Sequence, residues 1–414
     1  MTAFSIVGGE LHAEGVPLSA IAERFGTPCY VYSRAALEGR FRAFDDAFAG
    51  VPHLVCYAVK ANSNLAVLNI LARLGSGFDI VSGGELARVI AAGGDPAKIV
   101  FSGVGKTAAE MEAALAAGIR CFNVESAAEL EALNAIACRR GRIAPISLRV
   151  NPDVDPKTHP YIATGLKDTK FGVAFADAPQ LYRRAAGLPG VEVRGIDCHI
   201  GSQITDLTAC VEAAAKMFGL VDRLAADGIA LDHVDLGGGL GVRYRDEETI
   251  DPYAYALAIR EVRGARRHEL LFEPGRFLIG DAGVLLTRVM YLKPGEGHDY
   301  AIVDAAMNDL LRPALYDAWH AVESVRKSDV PTRRWHVVGP VCESADFLAR
   351  DRLLALADGD LLAVRGAGAY GFAMSSNYNS RPRACEVVVS GDAMHLVRSR
   401  ESAAELFSRE STLP

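Results

Sequence analysis

The sequence predicts an α/β protein: an eight-stranded parallel β/α (TIM-like) barrel with an additional all-β sandwich or barrel domain. Strand-like apolar runs alternate with helix-like segments as far as residue 273, and beyond about residue 280 strand-like runs continue without regular helices. The chain of 414 residues is also longer than one hydrophobic core usually serves. We therefore expect a barrel domain at 34–280 and a β domain formed by 1–33 and 281–414.

The barrel is predicted from a repeated change of apolar period. Short apolar runs are followed by segments rich in Ala, Leu, Glu and Arg, whose apolar residues recur at helical spacing. The predicted strands lie at 54–59, 78–81, 99–102, 121–124, 146–150, 195–199, 233–236 and 270–273. The predicted helices lie at 35–48, 65–74, 84–92, 108–117, 127–139, 177–186, 209–226 and 253–263.

Extended segments near both ends of the chain predict one shared β domain. The C-terminal runs lie at 284–292, 300–304, 335–338, 361–365, 385–389 and 394–398. The N-terminal pieces at 4–11 and 29–32 flank a predicted helix at 18–25. We expect the N-terminal segment to add a strand to this domain.

Composition excludes several classes of protein. A net charge of -7 gives no basic footprint for nucleic acid or an anionic membrane surface, and no apolar run reaches transmembrane length. The eight cysteines contain no C-x-x-C pair, so we expect reduced thiols and no metal site. The N-terminus lacks the pattern of a signal peptide. These features predict a cytoplasmic protein.

Polar residues or glycines lie at the C-terminal ends of all eight predicted strands. The C-terminal ends of barrel strands carry the chemistry in this kind of fold, so polar residues there predict a functional site at one mouth of the barrel. In chain order these residues are Lys60; Asp79 and Ser82; Ser102; Glu125; Arg149 and Asn151; His199, Ser202 and Gln203; the run Gly237–Gly241; and Glu273 to Arg276.

Lys60 follows a buried strand, where an unpaired ammonium is costly. An amine there is suited to a Schiff base with a carbonyl cofactor such as pyridoxal phosphate, although its stem could equally pack while its head reaches water. With that cofactor, Gly237–Gly239 would bind phosphate and Glu273 the pyridine nitrogen. His199 would stack on the ring, and Arg276 would bind a carboxylate. Taken alone, each feature has an ordinary explanation: the glycine run could be a turn, Glu273 a surface acid, His199 a core histidine and Arg276 a member of an ion pair.

The motifs together resemble the barrel-type pyridoxal phosphate decarboxylases, in the branch that acts on diaminopimelate. The resemblance covers nearly the whole chain, and the set is specific because its members occur in this order. The motifs are Tyr-Ala-Val-Lys-Ala-Asn at 57–62, the segments 78–85, 159–167 and 170–172, His-Ile-Gly-Ser-Gln at 199–203, the glycine run at 237–241, Glu-Pro-Gly-Arg at 273–276, Arg-Pro-Ala-Leu-Tyr at 312–316, Cys-Glu-Ser at 342–344 and Gly-Ala-Tyr-Gly at 368–371.

The resemblance implies a role for each matching residue. Lys60 would bond covalently to the cofactor, and Cys342 would return a proton to the substrate carbon, with His199 and Glu273 assisting. The implied cofactor-binding residues are Lys60, Asp79, Arg149, His199, Ser202, Gly237, Gly238, Gly239, Glu273, Gly275, Arg276 and Tyr370. The implied substrate-binding residues are Arg276, Arg312, Tyr316, Glu343 and Tyr370.

The implied reaction converts meso-2,6-diaminopimelate to L-lysine and carbon dioxide. A sister decarboxylase of ornithine, lysine or carboxynorspermidine would keep the same cofactor residues. An amino-acid racemase of similar fold would place an arginine where Glu273 stands, and a non-catalytic homologue would be expected to lose Lys60 or Cys342. The resemblance also implies a homodimer in which Cys342 and Glu343 complete the site of the other subunit.

Overall fold

The computed structural model describes residues 3–155 and 169–414. The chain divides into two compact units, the first formed by Met1–Gly39, Arg243–Glu247 and Leu278–Pro414, the second by Arg40–Val242 and Glu248–Phe277. The excursion of five residues at 243–247 into the first unit has no counterpart in the sequence prediction. The domain boundaries expected at residues 34 and 280 stay a prediction.

The N-terminal segment forms three short strands, a helix and a longer strand. The predicted extended piece at 4–11 is two strands, because Gly8 and Gly9 adopt positive φ angles of 59° and 84° and reverse the chain. The elements are β1 (Phe4–Val7), β2 (Glu10–Ala13), β3 (Val16–Pro17), α1 (Leu18–Phe25) and β4 (Cys29–Ser33).

Eight parallel strands close into a barrel in the second unit, which confirms the predicted fold class. The strands are β5 (His53–Ala58), β6 (Gly77–Ile80), β7 (Ile99–Phe101), β8 (Cys121–Val124), β9 (Ala144–Asn151), β11 (Val191–Asp197), β12 (His233–Asp235) and β13 (Glu269–Phe272). Strand β13 pairs with β5 and thereby closes the ring. A two-residue strand that the sequence did not predict, β10 (Val173–Ala174), lies beside β9.

Helices alternate with these strands, and several begin at a side-chain cap. They are α2 (Arg34–Ala47), α3 (Leu65–Arg73), α4 (Gly83–Ala91), α5 (Ala108–Ala117), α6 (Ala127–Arg140), α7 (Ala178–Ala186), α8 (Leu207–Ala226), α9 (Pro252–Arg263) and the short α10 (Arg276–Ile279). Ser82, Thr107 and Ser126 each accept the N–H of the third residue of the helix that follows. These caps fix where each helix begins after its strand.

The barrel interior changes from apolar to polar along the strands. Cys56, Val100, Cys121 and Leu271 form one apolar cluster. Near the C-terminal ends, by contrast, Asp79, Asn123, Asp197 and Asp235 are almost completely buried. Buried polar groups need partners, so this end of the barrel requires a hydrogen-bond network or a ligand.

The remaining elements form the β domain. They are β14 (Gly283–Lys293), β15 (Asp299–Val303), α11 (Arg312–Tyr316), β16 (Val322–Ser324), β17 (Arg333–Val338), β18 (Phe347–Leu354), β19 (Leu361–Val364), β20 (Cys385–Ser390), β21 (Ala393–Arg398) and α12 (Ala403–Leu406). Strand β4 pairs with both β14 and β20, which confirms that the N-terminal segment joins this domain. Over the ranges 3–155 and 169–414, no helix combines the length and apolarity needed to cross a lipid bilayer.

Candidate active site

Lys60 lies in a single turn of 3-10 helix (Val59–Ala61) directly after β5. The hydroxyl of Tyr57 donates to the carbonyl of Asn62 at 3.0 Å and closes this turn. The Nζ atom of Lys60 lies 2.6 Å from Oδ2 of Asp79, a carboxylate with no solvent exposure on the neighbouring strand β6. The lysine is therefore held by a buried charge while about a third (34%) of its side chain stays exposed.

Glu273 follows β13 and is 4% exposed. Its Oε1 accepts hydrogen bonds from Ser102 Oγ and Asn123 Nδ2, both at 3.4 Å. Burial, together with the negative charges of Asp235 and Asp79, raises the pKa of Glu273 well above its ordinary value. A cationic N–H donor placed against this carboxylate would stabilise its charged form.

Two further buried carboxylates extend this acidic group. Burial raises the pKa of Asp197 well above its ordinary value and that of Asp235 to about 7, with repulsion from neighbouring acids adding to the shift. Among the described residues, one oxygen of each has no hydrogen-bond partner, and the same holds for Oδ1 of Asp79. The acidic end of the barrel therefore favours a ligand that brings positive charge.

Arg149 is fixed by acids and by an aromatic ring. Its Nη1 lies 3.2 Å from Oε1 of Glu125, and its guanidinium lies 4.9 Å from the ring centroid of Phe171. Glu125 also accepts the backbone N–H groups of Gly103 at 2.8 Å and Gly172 at 3.1 Å. This network joins strand β9 to three loops and holds the guanidinium in one orientation.

His199 is present as a neutral imidazole. Its Nδ1 accepts the backbone N–H of Gly238 at 3.2 Å, so its proton resides on Nε2. Burial, with the positive charges of Arg149 and Lys60, lowers the pKa of His199 well below its ordinary value. A neutral, oriented imidazole ring is suited to stacking on another planar ring.

Ser202 and Arg276 lie together. The guanidinium of Arg276 reaches Ser202 Oγ from Nη2 at 3.0 Å and from Nε at 3.3 Å. A hydroxyl and a planar guanidinium side by side are groups that proteins use to bind phosphate. Gly275 permits the approach of this loop to the lysine turn, since an added Cβ would lie 3.0 Å from the Cβ atoms of Ala58 and Ala61.

The glycine run after β12 is required first for close packing. An added Cβ on Gly238 would lie 2.1 Å from the carbonyl oxygen of Glu273, and one on Gly239 would lie 2.3 Å from that of Gly201. The N–H of Gly237 donates to Asp235, and that of Gly238 donates to His199. Two of the three N–H groups predicted to bind phosphate are therefore already hydrogen-bonded, and phosphate binding by this run stays a prediction.

The other predicted residues belong to the first unit. Arg312 begins α11 and is buried, and Tyr316 ends that helix. Cys342 is exposed, and its N–H donates to Oδ1 of Asn379 at 2.9 Å. The carboxylate of Glu343 accepts the hydroxyl of Tyr378 at 3.2 Å. Tyr370 adopts a φ of 57°, an uncommon conformation for a residue with a side chain, which is often found at binding sites.

Sequence reasoning did not identify every polar residue of the barrel end. Asn123, Asp197 and Asp235 lie within predicted strands, where position alone indicates packing. Glu85 belongs to a quoted motif without an assigned role, and burial raises its pKa to about 7 beside Asp79. The quoted motif at 159–167 lies outside the described residues.

The expected absence of a metal also stays a prediction. Asp197, Asp235 and Glu273 lie close together, as do His298, His336 and Asp351 in the first unit. The second group borders a cavity of about 380 Å³, but Arg333 and Arg334 line the same cavity and oppose the entry of a cation. Nδ1 of His336 moreover accepts the N–H of Asp351 at 3.2 Å.

One parallel barrel thus carries Lys60 held by Asp79, the buried acid Glu273 after the neighbouring strand β13, and the pair of Ser202 and Arg276. Together these groups define a pyridoxal-phosphate enzyme of the barrel type. Residues 34–280 match the pyridoxal binding domain of the pyridoxal-dependent decarboxylases. The diaminopimelate decarboxylase of Pseudomonas aeruginosa is 63% identical over 414 residues, which is 100% of both chains. The chain belongs to the diaminopimelate decarboxylase family.

Solved structures agree with this assignment. The diaminopimelate decarboxylase of M. jannaschii in complex with L-lysine has a TM-score of 0.95 at 37% identity and covers 100% of this chain and 98% of its own. The Helicobacter pylori diaminopimelate decarboxylase, also in complex with L-lysine, has a TM-score of 0.92 at 43% identity and covers 95% of this chain and 99% of its own.

Proposed function

We propose that this protein decarboxylates meso-2,6-diaminopimelate to L-lysine and carbon dioxide, the last step of lysine biosynthesis. Buried Glu273 is the observation that carries the choice of chemistry. An acid against the pyridine nitrogen keeps that nitrogen protonated, whereas the arginine of racemases of similar fold would not. Family membership supports the choice of substrate.

The residues present fit pyridoxal phosphate, which when bound supplies an electron sink for the electron pair left by departing carbon dioxide. Lys60 would hold its carbonyl carbon, and Ser202, Arg276 and the glycine loop its phosphate. Glu273 would accept the pyridinium N–H, whose positive charge offsets the excess of buried carboxylates around Glu273. His199 would stack on the ring as a neutral imidazole.

The other residues would orient the substrate and move protons. Asp79 directs Nζ of Lys60 through their 2.6 Å contact. Arg312 and Tyr316 would bind the distal carboxylate together with Arg276 and Tyr370, and Glu343 would bind the distal amino group. As the bond to carbon dioxide breaks, its electron pair stays with the substrate, and Sγ of Cys342 would deliver the proton that the α-carbon then takes.

Two copies of the chain would form a homodimer, with the partner's Cys342 and the partner's Glu343 completing each site. The resemblance supports this arrangement, and so does the exposure of both residues on the first unit. Inactive Lys60→Ala and Cys342→Ala proteins should then complement each other. Random subunit exchange should restore about a quarter of wild-type activity, because half the dimers are hybrids with one intact site of two. Proven exchange without recovery would contradict shared sites.

We also propose action in the cytoplasm, which is supported by eight cysteines that all remain free thiols.

The deciding experiment supplies the holoenzyme separately with meso-diaminopimelate, L-lysine, ornithine and carboxynorspermidine, and traps the released carbon dioxide. We expect release from meso-diaminopimelate with formation of L-lysine, and none from a Lys60→Ala control. Faster release from another substrate would favour a sister decarboxylase. Change of stereochemistry without carbon dioxide would favour a racemase, and bound cofactor without turnover a non-catalytic homologue.

A further inference from the structure

The guanidinium of Arg312 is held from two sides by residues that the sequence did not single out. Arg312 is 6% exposed at the start of α11. Its Nη1 lies 2.9 Å from Nε2 of His320, and its Cζ lies 4.6 Å from the ring centroid of Tyr244. The rings of Tyr244 and His320 meet edge to face at 5.3 Å. All three residues belong to the first unit.

The contact of the second ring nitrogen of His320 shows which nitrogen carries the proton. Nδ1 lies 2.8 Å from the carbonyl oxygen of Arg365, and a carbonyl oxygen only accepts hydrogen bonds. The proton therefore resides on Nδ1, and the lone pair of Nε2 accepts the N–H of Arg312. Because neither the neutral imidazole nor the tyrosine ring carries a formal negative charge, neither contact cancels the charge of the guanidinium.

The surroundings keep His320 and Tyr244 in place. His320 has no solvent exposure, and its carbonyl accepts a hydrogen bond from Nη2 of Arg352 at 3.1 Å. Gly366 adopts a φ of 64°, and a Cβ there would lie 3.0 Å from the ring of Tyr244. Even a small side chain at residue 366 would therefore crowd this ring.

We propose that His320 and Tyr244 are positioning residues that hold Arg312 ready for the carboxylate at the distal end of the substrate. A guanidinium that is already held in position loses little freedom when a carboxylate binds to it. The inference rests on the proposed function, since it assigns how the distal carboxylate is selected. It makes His320 and Tyr244 determinants of specificity that contact Arg312 rather than the reacting atoms.

The test compares two substitutions of His320 in the holoenzyme. His320→Leu removes the acceptor at similar size, whereas His320→Gln keeps an amide oxygen to accept and an amide N–H to donate. With His320→Leu we expect the KM for meso-diaminopimelate to rise about tenfold, the lower end of the worth of one hydrogen bond to a charged group, with kcat within about threefold. With His320→Gln both constants should stay within about threefold of wild type.

Binding of two amines separates positioning from general damage. L-lysine retains a carboxylate and cadaverine has none, so His320→Leu should weaken L-lysine binding about tenfold and leave cadaverine within about twofold in calorimetry. Equal loss for both ligands, or no loss for either, would overturn the inference. Calorimetry needs no turnover, so it tests Arg312 positioning separately from whether meso-diaminopimelate is the substrate.

A second variant covers the case in which His320→Leu does not fold. Tyr244→Leu removes the aromatic face from the other side of the guanidinium and should weaken L-lysine binding about threefold to tenfold, again sparing cadaverine. Tyr244→Phe, which keeps the ring, is its matched control and should bind both ligands like wild type. A Tyr244→Leu protein that binds L-lysine as tightly as wild type would also overturn the inference.

Discussion

Replacing Glu273 by glutamine should slow the enzyme and stabilise its cofactor-free form. The substitution keeps the shape of a side chain that is 4% exposed and removes its charge. In the holoenzyme it removes the acid that would accept the pyridinium N–H. In the cofactor-free protein it removes one negative charge from the group that also contains Asp79, Asp197 and Asp235. The substitution should therefore lower kcat of the holoenzyme and raise the free energy of unfolding of the cofactor-free protein.

The size of the rate effect follows from one hydrogen bond to a charged group, worth about 1.5–3 kcal/mol. If the bond acts fully in the transition state, kcat falls roughly tenfold to a hundredfold. The pKa of Glu273 is raised in the folded protein. The stability linked to its protonation is therefore fully present below the unfolded value, about 4.3, and is lost as the pH rises through the raised value. The advantage of Glu273→Gln should grow from pH 5 to pH 8.

Urea unfolding of the cofactor-free proteins at both pH values measures the free energy of unfolding, and steady-state assays of the holoenzymes measure kcat. Glu248→Gln is the matched control, because Glu248 is an exposed acid at the surface. It should change neither quantity. An unchanged kcat for Glu273→Gln would remove the proposed pyridine partner, and a larger stability advantage at pH 5 than at pH 8 would refute the charge argument.

Three further outcomes are expected. Borohydride should fix the cofactor to Lys60, and peptide mapping that finds the adduct on another lysine would contradict the assignment. Lys106→Met should lower the free energy of unfolding by about 3–5 kcal/mol, because it leaves the buried carboxylate of Glu129 without its cationic partner. The double variant Lys106→Met with Glu129→Leu should recover much of that loss in the same urea titration. Glu85→Gln should match wild type in unfolding free energy at pH 4 and exceed it by about 1–3 kcal/mol at pH 8. The reason is that the pKa of Glu85 is raised to about 7, so wild type loses stability as the pH rises through that value. Equal stability of the two proteins at pH 8 would contradict the raised pKa.

The barrel was predictable because each of its strands is a short run of mostly buried residues, and parallel strands covered on both faces show as apolar runs. The β domain was less predictable from the sequence. Strand β18 was not predicted because Arg350, Asp351 and Arg352 interrupt its apolar pattern, and Asp351 adopts a φ of 56°. Its pairing with β17 is irregular there. Such a strand is defined by its neighbour rather than by its own sequence.

For the candidate site, sequence position identified the residues but not their partners. Lys60, His199 and Glu273 lie at the C-terminal ends of predicted strands, which was sufficient to group them. The acceptor role of His199 and the hydrogen bond between Gly237 and Asp235 depend on how neighbouring loops meet. Asp197 and Asp235 are ordinary strand residues until barrel closure brings their carboxylates near Glu273. Those pairings come from tertiary structure and have no local signature.

Charge balance connects these observations. The cofactor-free barrel end holds Asp79, Asp197, Asp235 and Glu273 in surroundings that disfavour the charged form of three of them. A ligand with a protonated ring nitrogen would offset that cost, so part of the cofactor's binding free energy would come from relief of repulsion already present in the protein. Because this repulsion grows as the carboxyls lose protons, stabilisation by the cofactor should increase with pH over the range in which the acids ionise. The same buried acids would then keep the ring nitrogen protonated during catalysis and make the stabilisation of the folded protein by bound cofactor depend on pH.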